Sequence, residues 1–443
     1  MSSPTHPEPA LPLESPVASS SSGDSRSIPA AEASERFWAM DSLRAAAMLL
    51  GVYFHAVVFD GLGSLNSKAM MFTDWSHNFR MQLFFAVSGF FSCMMFLRYG
   101  WGRYFFKRWW RIAVPLAVAV YAFAVLRVAI GPLFPVGGFA SFWMNLTKKK
   151  PFLERLPVEI NNWLMLGHLW FLWYLLVFAS VLPFLIQAGL WLSRLPLKEK
   201  WDRVCRVSIQ FHLVPLIIGV FTAPTLMRLF NLAGWKLPPA KGVMARFPEG
   251  LWYYSDFPLF FAYFLAGAWL FSMRSYLPLL ARQWWSNGIL AAGLYIAATK
   301  MGNKYAFMAD HQDYYVLRYY GYLLLSLSAS YTVFAFISLF QKFANRNWVI
   351  TRYFAETAFW IYLIHIELLV PIIKRLNTFQ LSWWSKAIAS SVLATAAALI
   401  LFELFVRWTP LRSLFGSPRK KKKKEPREES AMKATQRGEC VVN

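Results

Sequence analysis

The stretch DSLRAAAMLLGVYFHAVVFD, from Asp41 to Asp60, places one guanidinium and one imidazole on a single apolar segment. Arg44 and His55 are eleven positions apart. At about 3.6 residues per turn this is close to three full turns, so both share a helix face and stand about 16 Å apart along its axis. Ionisable side chains are costly in hydrocarbon, so the pair should face other helices or a water-filled cavity. Free imidazole titrates near about 6.5, which suits it to take and return a proton. The alternative is an interfacial arginine and a histidine hydrogen-bonded to a neighbouring helix.

Other groups could join them. In HNFRMQLFFAVSGFF, His77 and Arg80 fall near the outer end of an expected span, where a polar acceptor could be received, and Ser88 and Gly89 lie deeper. Gly89 would let a neighbouring helix come close and Ser88 could hydrogen-bond across the contact, although plain packing explains these two equally well. In KRWWRIAVP, Arg108 and Arg111 are three apart and project to nearly one side. An arginine pair flanked by tryptophan can hold phosphate bidentately and stack on a purine. Positive charge at a cytoplasmic helix end is also what topology alone demands. His168 opens the apolar run GHLWFLWYL, and His365 lies in AETAFWIYLIHIEL. Glu356 is two and a half turns from His365 and off its face, so no simple dyad is expected there. His212 and His311 read as structural or exposed.

These side chains need a frame, and composition says which. Of 443 residues, 57% are hydrophobic and 16% charged, with a mean hydropathy of +0.37. That is a polytopic membrane protein of class all-α, a helical bundle. Ten apolar segments have spanning length, at 38–59, 78–98, 109–130, 162–188, 207–228, 251–273, 285–301, 316–340, 353–373 and 385–406. The fifth and seventh are weakest, one interrupted by His212 and Pro215, the other short. A formal charge of +23 falls largely in short flanks, RYGWGRYFFKRWWR and SRLPLKEKWDRVCR, and in the tail RKKKKKEPR. This placement indicates contact with anionic membrane lipids and cytoplasmic termini, and no nucleic acid partner. Residues 1–35, poor in large apolar groups, are expected to be a disordered cytoplasmic segment, 36–412 the membrane domain and 413–443 a basic disordered cytoplasmic tail. Cys93, Cys205 and Cys440 show neither a disulfide framework nor a metal spacing. The first span is expected to serve as its own uncleaved signal-anchor.

Two functional classes fit: an enzyme using a membrane-embedded histidine to move a group, or a transporter using the same groups as a relay. The paired arginines suit a phosphorylated donor better than an ion path.

Asp41-x-x-Arg44, Arg44 with ten residues to His55, FF-x-x-SGF from Phe84 to Phe90 and Arg108-x-x-Arg111 together resemble the membrane acyltransferase 3 family. More narrowly, HNFRMQLFF, GHLWFLWYL and FWIYLIH resemble its branch that succinylates periplasmic glucans. The likeness runs from about Arg36 to Arg412. It implies transfer of an acyl group from cytoplasmic acyl-CoA to a sugar hydroxyl across a bacterial inner membrane. Succinyl-CoA or acetyl-CoA would be the donor substrate, a periplasmic or cell-envelope glycan the acceptor, and no cofactor would be permanently bound. By this resemblance His55 is the catalytic imidazole and Arg44 its partner on the first span, while Arg108 and Arg111 contact the donor. Asp41, His77, Arg80, Ser88, His168, Trp170 and His365 support the site or the acceptor. Ala358 stands where relatives often carry Ser, and Glu367 where Pro is common. An O-acetyltransferase of another envelope polysaccharide and a non-enzymatic exporter are the remaining readings.

Overall fold

The computed structural model describes residues 36–60, 67–130, 169–192, 198–232, 257–305 and 314–415. Among these, every regular element is helical. In hydrocarbon a chain must satisfy its own backbone groups, and long apolar runs do so as helices. In order they are α1 (Trp38–Phe59), α2 (Ser67–Ile130), α3 (Trp170–Leu192), α4 (Lys198–Gln210), α5 (Leu213–Leu232), α6 (Phe257–Ser272), α7 (Leu277–Ala281), α8 (Trp284–Tyr305), α9 (Tyr314–Phe343), α10 (Val349–Leu376), α11 (Trp383–Leu401) and α12 (Arg412–Phe415). Among the described residues, six helices are long and apolar enough to cross a membrane, or eight if each of two bent pairs counts as one span.

One of the six covers 52 residues, Met71–Ala122. Straight, it would run about 78 Å, more than twice the hydrocarbon thickness of about 30 Å. Instead it reverses at Gly100, at φ 68° and ψ −177°, a conformation essentially restricted to glycine. The guanidinium of Arg108 therefore reaches Ser92 Oγ, sixteen positions earlier, and Phe96 packs edge-on against Trp101 and Tyr104. The expected loop from Arg98 to Arg111 is thus two helices around a one-residue turn, and α2 makes two passes. The expected ten spans are approximate for this reason and for two others. The fifth is not continuous: α4 and α5 meet at His212 with a bend of 86°, so part of the supposed inner loop is helix. The seventh, α8, is a full 22 residues, although it falls short of the apolarity of the other spans. Residues 1–35 and 416–443, Lys148–Lys150, His168 and His311 lie outside the described residues. Within the expected tail, Phe415 is buried against Phe359 and Trp360, so the packed chain runs past residue 412.

The core is aromatic. Phe85, Phe178, Phe260 and Phe264 from α2, α3 and α6 interlock with ring centroids about 5 Å apart. Between α2 and α6 the backbones touch. A Cβ on Gly89 would fall 1.8 Å from Phe264 O, and one on Gly267 1.7 Å from Ala86 O. The close approach expected at Gly89 is present, and it is reciprocal. Elsewhere small hydroxyls stitch helices together: Thr222 to Ser326 and Tyr263 to Ser330, both at 2.7 Å, and Ser328 donates to Ala291 O. Helices α1, α10 and α11 form a second cluster through Met48, Val52, Ala56, Ile361, Leu369, Ala394 and Ala398.

Candidate functional site

Polar groups on α1, α2 and α10 gather in two layers. At the start of α1, Asp41 is buried and accepts from Arg36 Nε at 2.9 Å and Arg44 Nη2 at 3.1 Å. Arg44 Nη2 also donates to Ala355 O on α10 at 2.9 Å, and its guanidinium lies 5.2 Å from the Phe91 ring centre on α2. One position on, Ser92 holds Arg108, which in turn lies 5.9 Å from the Tyr104 ring centre. Arg44, Arg108 and Arg111 are close enough to feel one another's charge. Asp41 offsets part of this positive charge through Arg44, and a further anion among the three guanidiniums would be favoured. The Nε atoms of Arg44 and Arg108 are buried without a hydrogen-bond partner.

The second layer is built on histidines. His55 and His365 have ring centroids 5.2 Å apart. His365 is buried, and its Nδ1 lies 2.7 Å from Tyr362 O and 3.2 Å from Ile361 O. Carbonyl oxygens only accept, so Nδ1 carries the proton and, in the neutral ring, Nε2 is the basic nitrogen. Phe54, next to His55, stacks on His77 at 5.7 Å, and the Arg80 guanidinium sits 3.6 Å from the centre of the same ring. Arg80 is only 4% exposed and lies within electrostatic reach of His77 and His365. The face of Phe54 supplies negative quadrupole density to this buried cation, and Arg80 Nη1 makes no hydrogen bond.

Three helices measure the gap between layers independently. Arg44 to His55 on α1 is eleven residues, Ala355 to His365 on α10 is ten, and Arg80 to Ser92 on α2 is twelve. At 1.5 Å per residue all three give about 15–18 Å.

The sequence grouped His55, Arg44, Asp41, Arg108, Arg111, His77, Arg80 and His365, and the fold gathers them into these layers. Two placements differ from expectation. His77 and Arg80 do not edge an open rim: α2 begins at Ser67, so they lie three and four turns inside the helix. Arg108 and Arg111 do not start a span, because the helix carrying them already runs from the turn at Gly100. Ser88 lies between the layers, and its carbonyl accepts from Ser92 Oγ at 2.7 Å. The ring contacts of Trp170 are Phe85, Tyr174 and Phe260, in the aromatic core. Glu356 pairs with Arg352 at 3.3 Å, away from His365 as its spacing required. Phe54 and Ser92 were missed. Adjacency to His55 marks Phe54 only once a cation is seen on its face, and Ser92 is visible only when the chain reverses.

Residues 37–403 match the model of an acyltransferase domain family. Glucans biosynthesis protein C of Escherichia coli O139:H28 (strain E24377A / ETEC) is 25% identical over 404 residues, covering 87% of this chain and 95% of that protein. The protein of the same name from strain K12 matches to the same extent, and that of strain O1:K1 / APEC is 24% identical over 402 residues, with the same coverage. No solved structure matches the chain.

Proposed function

The chain belongs to this acyltransferase family, and on that premise we propose that it moves an acyl group, succinyl by preference, from cytoplasmic acyl-CoA to a hydroxyl of a periplasmic glucan. The glucan follows from the relatives' name and the succinyl group from the branch motifs. The protein sits in the bacterial inner membrane with both termini cytoplasmic, and its basic tail rests on anionic lipid.

The observation that carries the reading is the spacing of the two layers. From the donor's phosphorus to its thioester carbon is about fourteen bonds, the backbone of just under five residues. At about 3.5 Å per residue it extends about 16 Å. With phosphates at Arg44, Arg108 and Arg111, the thioester therefore arrives at His55 and His365. Bidentate guanidinium contacts suit phosphate at that end.

His55 takes the proton from the acceptor hydroxyl as its oxygen attacks the thioester carbonyl. Negative charge moves to the carbonyl oxygen, where Arg80, fixed over Phe54 in a dry site, stabilises it. Collapse breaks the C–S bond, the ester is released, and the imidazolium of His55 returns its proton to the leaving thiolate. His365 and His77 set the position of His55 and Phe54. Arg44, tied to Asp41 and Ala355 O, belongs to the donor end rather than to the imidazole.

The test is acyl transfer by purified protein in lipid, with radiolabelled succinyl-CoA or acetyl-CoA, with and without glucan, for the native protein and His55→Ala. General-base catalysis by His55 predicts a fall of about two to four orders of magnitude in the variant. Undiminished transfer at normal protein level refutes that role. Ping-pong kinetics would mark an acyl-histidine intermediate instead. No transfer and no CoA release from folded native protein would transfer the same residues to an export path.

A further inference from the structure

Away from the layer of His55 and His365, two spans break at one end of the bundle, and the breaks meet. Helix α4 turns 86° into α5, and α6 turns 82° into the segment Arg274–Ala281. The α4 elbow is His212, held at φ 57°, which is uncommon for a non-glycine residue. Its imidazole bonds Ser286 Oγ at 2.8 Å and its carbonyl accepts from Tyr331. Gln283, at the end of the second break, donates to Ile209 O at 2.7 Å and Gln210 O at 3.1 Å, closing the C-terminus of α4. Arg206 lies 5.7 Å from the Tyr276 ring. The elbow is thus fastened by named polar contacts, and α4 stands nearly perpendicular to α5.

Around α4 the side chains divide three ways. Cys205 and Ile209 are buried against the bundle. Val204, Val207 and Phe211 are exposed by 54%, 38% and 62%, and their i, i+3, i+7 spacing makes one stripe. Arg203, Arg206 and Gln210, also exposed, repeat that spacing on a second stripe about 100° round. Apolar and cationic stripes side by side on a helix lying across the span direction match the boundary between acyl chains and headgroups. The level is that of an interface: Trp285 and Lys342 are exposed nearby, with Lys342 5.2 Å from the Trp284 ring. It is also the Arg44 end of the bundle, because Ser42 on α1 donates to Ala344 O just past α9, while Trp284 packs on Phe343.

We propose that α4, braced by Arg274–Ala281, is a ledge that docks anionic phospholipid headgroups of the leaflet at the Arg44 end. Arg203 and Arg206 take the phosphates, and Val204, Val207 and Phe211 enter the acyl region. The site includes no residue of the basic tail or of the acyl-transfer layers, so neither decides it.

The full chain carrying Gln210→p-benzoylphenylalanine, one turn beyond Arg206 on the arginine stripe, is placed in nanodiscs of equal phosphatidylglycerol and phosphatidylcholine and irradiated, and its lipid adducts are identified by mass spectrometry. Phosphatidylglycerol adducts should exceed phosphatidylcholine adducts by about fivefold per arginine. Adding Arg203→Gln and Arg206→Gln should bring the ratio to parity. Arg203→Gln alone, at an exposed position, should lower it about fivefold without touching the packing of Arg206 on Tyr276. Parity with both arginines present, a ratio unmoved by their removal, or adducts only to another protein chain would each overturn the ledge as an anionic-lipid site.

Discussion

Replacing Gly89 by alanine tests the frame that holds the two layers in register. The added Cβ would fall 1.8 Å from Phe264 O and 2.7 Å from Phe264 C. Both are backbone atoms, so no side chain can rotate away. Contacts below 3.0 Å force a shift, and α2 and α6 must therefore part by about 1.2 Å. Overpacking of this kind costs about 1–3 kcal/mol. Gly89 also lies on α2 between Arg80 and Ser92, and a displacement of about 1 Å in a reacting geometry costs on the order of 100-fold in rate. Gly89→Ala should therefore lower the melting temperature in detergent or lipid and cut acyl transfer by up to that factor. Gly51 is the matched control: it lies on α1 between Arg44 and His55, and its Cβ would meet only Met48 Cε at 4.0 Å. Gly51→Ala should leave both quantities unchanged or raise the melting temperature slightly, alanine being favoured by up to about 1 kcal/mol in a helix. Gly267→Ala makes the reciprocal clash, so combining it with Gly89→Ala should cost less than the two separate losses. Native stability and native transfer in Gly89→Ala would refute the reciprocal contact and, with it, the spacing argument.

Removing Arg108 and Arg111 together should raise the KM for the acyl donor by about tenfold or more while changing kcat less, since charge-assisted bonds are worth about 1.5–3 kcal/mol; steady-state kinetics with an unaltered KM would return both to a topological role. Gly100→Ala forces a side chain into a glycine-only region and should cost about 1–3 kcal/mol, whereas Gly102→Ala, whose Cβ meets nothing within 4 Å, should be neutral in the same thermal assay. Asp60, just beyond the end of α1, has its carboxyl pushed up chiefly by burial, with Lys386 and Asn377 pulling the other way. The folded protein thus binds that proton more tightly than the unfolded chain. Its contribution to stability is full below the ordinary value of 3.8 and is lost as pH rises through the raised one. Asp60→Asn should therefore raise the melting temperature at neutral pH, with a gain that shrinks toward pH 4; a gain independent of pH would contradict the cause assigned.

What the sequence determined by itself is the local and the periodic. An apolar stretch crowded with Phe, Leu and Ala must be helical in a membrane, and helix periodicity alone set Arg44 and His55 on one face about 16 Å apart. Glycine at position 89 already pointed to close helix packing. The same rules misread residues 98–111 as a loop and 207–228 as one span. A reversal at a single Gly100 and an elbow at a histidine with positive φ leave almost no mark in composition. Only tertiary structure decided what faces what. His365 comes beside His55, Arg80 over Phe54, and Arg108 onto Ser92, because ring stacking, cation–π contact and a chain reversal act between residues that no periodicity relates. The three helices agree on the spacing of the layers because their backbones rise at one rate once packing has fixed where each begins.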